Sequence, residues 1–101
     1  MKSILTNYTK YCIFCGTPVE SSDVHHLLLG NGYRQLADED GLTIPVCRTH
    51  HQMIHQSGFT ETMSKMIGQL AYEKHLVANG ETEESAREKF RKRYNKQGSY
   101  F

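Results

Sequence analysis

The chain has 101 residues, 38% hydrophobic and 23% charged, an ordinary mixture for a soluble globular protein with one modest core. Its formal net charge of +1 excludes a globally basic surface, so any cationic patch must be local. No apolar run approaches the roughly 20 residues that span a bilayer, which excludes an apolar membrane-crossing helix and indicates a cytoplasmic protein.

In chain order, "MKSILTNYTK" carries one early lysine, but its apolar stretch is too short for a signal peptide. Residues 8 to 30 read as a knuckle followed by a strand. Gly16-Thr17-Pro18 is a turn signal directly after Cys15, and "VHHLLL" can then run extended. Residues 30 to 41 form a Gly-bounded loop with one helical turn around Gln35 to Glu39. "LTIPV" (42 to 46) is β-branched and reads as a second short strand, confined to an edge or a strand end by Pro45.

A helix is expected from Thr49, a plausible N-cap, to Ser57-Gly58. The longest helix opens at Thr60 and closes at Asn79-Gly80. Met63, Met66, Ile67, Leu70, Ala71 and Val77 share one face at helical spacing and are expected in the core, a partner groove being the other reading. A last helix spans about 82 to 95, with Glu81, Glu83 and Glu84 at its start and Lys89, Arg91, Lys92 and Arg93 near its end, as the dipole favours. Ala86, Phe90 and Tyr94 give it a packing face. There is no internal repeat, and the whole of 1–101 reads as one domain.

The chemistry concentrates in cysteine and histidine. Three cysteines cannot close a disulfide framework without a remainder. Cys12-x-x-Cys15 with the distant Cys47-x-x-His50 instead supplies four ligands of the kinds tetrahedral zinc prefers. Such a site would clip two distant segments together, and its binding energy is folding energy. The bland alternative is a redox pair or two ordinary thiols at Cys12 and Cys15. His51 and His55, at i and i+4, project from one helix face as two imidazoles holding a single ion do. His25 and His26 are neighbours on a strand and point to opposite sides, so only one easily faces that ion. A competing assignment lets His51 or His55 complete the zinc site in place of His50.

Taken together, Cys-x-x-Cys, a strand with His25-His26, then Cys47-x-x-His50-His51-x-x-x-His55 resembles the zinc-stapled HNH endonucleases. Gly30, Arg34, Leu36 and Gly41 fall into the same layout, closest to small HNH-like proteins of phages and prophages. The resemblance covers residues 12 to 55. It implies an α+β fold: a small zinc-bound ββα-metal, treble-clef-like core over about 8–58, followed by two C-terminal helices at about 60–79 and 82–95. It implies His26 as the general base, and His51 and His55 with His25 as ligands of a catalytic divalent metal (Mg²⁺, Mn²⁺, Ni²⁺ or Zn²⁺). Cys12, Cys15, Cys47 and His50 would hold the structural zinc. The family's middle asparagine, which orients the base, has Asn31 as its only candidate here; relatives place it where Tyr33 stands.

The function so implied is a metal-dependent endonuclease on DNA, double-stranded by expectation and read with little sequence preference, in a bacterial cell or phage-infected host. Arg34, beside the presumed site, is a candidate phosphate contact. "KFRKRYNKQ" interleaves Lys89, Arg91, Lys92 and Arg93 with Phe90 and Tyr94, as a phosphate-tracking surface would, although a solvated helix end explains it nearly as well. The alternative function is a catalytically silent zinc-knuckle module binding nucleic acid or a protein partner.

Overall fold

The computed structural model describes residues 1–20, 23–30, 32–94 and 100. The order is β1 (Val24–His26), α1 (Tyr33–Asp40), β2 (Thr43–Pro45), α2 (Arg48–Ile54), α3 (Gly58–Ala78) and α4 (Glu83–Arg93). This is a small α+β fold with a two-stranded antiparallel sheet, in which His25 stands opposite Ile44 and His26 opposite Thr43. Among the described residues no helix is long and apolar enough to cross a membrane.

Ahead of the sheet, residues 10 to 19 fold into a knuckle closed by a bridge between Tyr11 and Pro18. The Cys12 amide donates to the Thr17 carbonyl at 2.7 Å and the Gly16 amide to the Cys12 carbonyl at 2.8 Å. Gly16 has φ of 75°, a left-handed turn conformation that favours glycine. The Ile13 amide donates to the Pro45 carbonyl at 2.9 Å, pinning the knuckle to β2. The strands are shorter than the apolar runs suggest, although the Leu27 amide still donates to the Leu42 carbonyl at 3.0 Å, and Leu27, Leu28 and Leu42 pack in the core.

The expected single turn around Gln35 is two turns of helix, from Tyr33 to Asp40. Helix α2 starts at Arg48 with Cys47 as its cap, not Thr49. The Cys47 carbonyl accepts from the His51 amide at 2.9 Å, so the helix begins within the Cys-x-x-His motif. Ser57, rather than Thr60, caps α3, accepting from the Thr60 amide at 3.1 Å. Thr82 caps α4 in the same way.

The largest departure concerns α3. Met63, Met66, Ile67, Leu70 and Val77 are exposed, whereas Ser64, Gly68, Gln69 and Glu73 are buried. Of the expected stripe only Ala71 packs against the core. Periodicity shows that a helix has an apolar stripe but not that the stripe faces inward. Here α3 approaches residues 27 and 28 through its smallest side chains. A Cβ on Gly68 would lie 2.2 Å from Leu28 Cδ2, so no side chain fits there without displacement.

Helix α4 packs as its spacing indicates, with Ala86, Phe90 and Tyr94 fully buried. Arg93 Nε donates to Asp40 at 2.6 Å, and the Tyr94 hydroxyl donates to the same carboxylate. These bonds tie α4 to the end of α1.

Candidate metal centres

Two groups of ligand atoms converge on α2. Adjacent residues of a helix are about 100° apart, so His50 and His51 serve different sites. His50 joins Cys12, Cys15 and Cys47; His51 and His55 join His25 from β1.

In the first group the ligand atoms all lie within 4.8 Å of one another. Cys15 Sγ is 3.9 Å from Cys47 Sγ, and His50 Nδ1 is 3.6 Å from Cys12 Sγ and 3.1 Å from Cys47 Sγ. Zinc bonds of about 2.3 Å to sulfur and about 2.0 Å to nitrogen give tetrahedral edges of roughly 3.8 and 3.6 Å. Electrostatics points the same way. Burial pushes the Cys12 thiol up, but backbone amides of Cys47, Cys15 and Phe14 outweigh it and bring it to about 6. Cys47 is favoured as an anion by the His50 amide, yet burial and the sulfurs of Cys12 and Cys15 leave its thiol raised. Three sulfurs and one imidazole nitrogen gathered in this way form a donor set that fits zinc.

The second group is open rather than closed. The ring centroids of His25, His51 and His55 form a near-equilateral triangle, 5.3, 5.3 and 5.1 Å on its sides. Among the described residues this group offers three ligand atoms, one fewer than a closed tetrahedral site uses. Burial, followed by the neighbouring imidazoles of His51, His55 and His26, lowers the His25 pKa to about 3. His51 is lowered too, chiefly by burial and then by His55. Neutral imidazoles are what a metal requires.

Hydrogen bonds decide which nitrogen of His25 carries the lone pair. The Ser64 hydroxyl donates to the Leu27 carbonyl at 2.8 Å, so its oxygen accepts from His25 Nε2–H, also at 2.8 Å. His25 Nδ1 therefore keeps its lone pair, and it is the one buried side-chain nitrogen or oxygen among the described residues with no hydrogen-bond partner. An unpaired buried acceptor beside two further imidazoles is what an ion would satisfy. At His55, the Glu61 carboxylate lies 3.3 Å from Nδ1 and leaves Nε2 for the ion.

Ser64 and Glu61 were not foreseeable from spacing. Ser64 belongs to the unexpected inner face of α3, and Glu61 resembles any acidic residue in a first helical turn. Ser64→Ala is expected to release the His25 tautomer and weaken divalent-metal affinity at this trio by roughly 10- to 100-fold, the usual worth of an outer hydrogen bond. Calorimetric titration with Mn²⁺, at unchanged zinc content, measures it.

His26, next to His25 on β1, is not among the ligand atoms of the trio. With His25, His51, His55 and Arg34 it lines one cleft of about 200 Å³. Its Nε2 lies 2.7 Å from Asp38 Oδ1. Asn31 lies outside the described residues. Tyr33, where the relatives' asparagine would stand, packs its ring against Tyr94 at 5.9 Å. The basic residues of α4 do not line the cleft: Arg93 is bonded to Asp40 and Glu39, Lys89 to Glu81, and Arg91 and Lys92 lie at 4.0 and 3.9 Å from Glu88.

The fold and its two sites define a small α+β protein with a closed Cys₃His cluster and an open His₃ cluster, both suited to a metal ion. Residues 6–79 match the family described as Protein of unknown function (DUF968), and the chain belongs to that family. No curated protein and no solved structure matches it.

Proposed function

We propose that this chain is a metal-dependent endonuclease of the HNH type, with a treble-clef-like ββα-metal core, that hydrolyses phosphodiester bonds in DNA. The observation that carries the reading is the open histidine trio sharing one cleft with a fourth histidine and an arginine. Cys12, Cys15, Cys47 and His50 would hold a structural zinc that fastens the knuckle to α2. His25, His51 and His55 would hold the catalytic divalent ion, which when bound supplies charge stabilisation to phosphate and leaving group.

The chain's own groups supply the rest. His26 accepts the proton of the attacking water, for which a neutral imidazole near pH 7 is suited. Arg34 at the cleft offers a fork of donors to a phosphate oxygen. Ser64 and Glu61 fix the ring nitrogens that face the ion.

The test is Mn²⁺-dependent cleavage of supercoiled plasmid by the full chain with its zinc retained. His55→Ala is expected to abolish cleavage while zinc content and melting temperature stay near those of the parent. Equal loss of zinc would mean that His55 belongs to the other site. One feature supports the silent-module reading instead. Met63, Met66, Ile67 and Leu70 line an exposed apolar depression of about 260 Å³ on α3, the kind of face that a protein partner covers.

A further inference from the structure

The base in the proposed site needs something to hold its ring, and among the described residues a carboxylate of α1 reaches it. The geometry points to Asp38, on α1, as the positioning residue that holds His26 in its Nε2–H tautomer and leaves Nδ1 as the proton acceptor. This assignment rests on the nuclease reading for its catalytic consequence, but the contact itself does not.

The contact is short and directional, with His26 Nε2 2.7 Å from Asp38 Oδ1. An ionised carboxylate can only accept, so the shared hydrogen belongs to the imidazole. The two residues are twelve positions apart, and α1 packs against β1 to bring them together. The His26 side chain is largely covered whereas that of Asp38 is 62% exposed, so the aspartate is not spent on the core. Asp38 also has no competing cation: Arg93 reaches Glu39 and Asp40, the next two residues, but not Asp38 among the ion pairs of the described residues. A carboxylate on the far nitrogen of a general base fixes its ring and stabilises the cation formed when it takes a proton, as in the hydrolase triads. The residue does not touch substrate; it acts through His26.

The experiment uses the full chain with its zinc, and two readouts. ¹⁵N NMR of the neutral His26 ring reads the tautomer, and Mn²⁺-dependent plasmid cleavage reads the rate. In the parent, His26 is expected as the Nε2–H form; in Asp38→Ala the spectrum shifts towards a mixture, with the melting temperature unchanged. Asp38→Ala is expected to lower the cleavage rate by roughly 10- to 100-fold, a part of the total value of a general base. Asp38→Glu, which keeps the carboxylate, is expected to recover most of it. In a His26→Ala background, removing Asp38 is expected to add nothing.

An unchanged tautomer in Asp38→Ala overturns the assignment, as does a rate loss that adds fully to that of His26→Ala. If the parent itself leaves plasmid intact, the nuclease reading falls, and the tautomer alone decides whether Asp38 holds the ring.

Discussion

Replacing Cys12 by serine is expected to unfold the chain. Cys12 is buried at the base of the knuckle, and its sulfur faces His50 across 38 residues of sequence. The two strands are only three residues each, and the helix bearing His50 has no fully buried side chain, Ile54 alone packing in part against the core. The knuckle and α2 therefore depend on the shared cluster more than on apolar burial. Structural zinc in small domains binds with apparent free energies of about 10–16 kcal/mol, comparable to the entire stability of a small domain, about 5–15 kcal/mol. Loss of one of four ligands removes enough of that to tip the balance. Circular dichroism and elemental analysis of Cys12→Ser should show an unfolded, zinc-poor chain. A folded, zinc-free parent would refute the structural role.

His26→Ala is expected to cut plasmid cleavage by roughly 10²- to 10⁴-fold, the usual contribution of a general base, with Mn²⁺ affinity retained. The ring lines the same cleft as the trio but is bonded to Asp38 rather than grouped with His51 and His55. His25→Ala should behave differently, losing metal affinity and recovering part of its activity as Mn²⁺ is raised. Comparing the two metal titrations separates proton transfer from ion binding. Undiminished cleavage by His26→Ala would remove the proposed mechanism and favour the silent zinc module.

Much of this site was legible in the sequence because its ligands obey local rules. Two residues between ligands fit a knuckle or a helix start, i and i+4 fit one helix face, and adjacent strand residues must part. Those rules need no tertiary information, and the ligand atoms gather in the same way: His50 with the cysteines, and His51 with His55 and His25, leaving His26 out. What escaped was set by packing. Ser64 reaches His25 only because α3 turns its small residues inward, the opposite of what the stripe from Met63 to Val77 suggests. Asp38 reaches His26 only because α1 is two turns long. The basic run on α4 looked like a phosphate surface, yet Arg93 is committed to Asp40 and Glu39, partners more than fifty residues away that no local pattern announces.

The proposed function requires the histidine trio to be a metal centre separate from the cysteine cluster. Anomalous diffraction from crystals soaked in Mn²⁺, collected at the zinc and manganese edges, tests it most directly. Two peaks per chain are predicted: zinc among Cys12, Cys15, Cys47 and His50, and manganese among His25, His51 and His55 with His25 bound through Nδ1. A single peak at the cysteine cluster, with the trio unliganded at saturating Mn²⁺, would contradict the account.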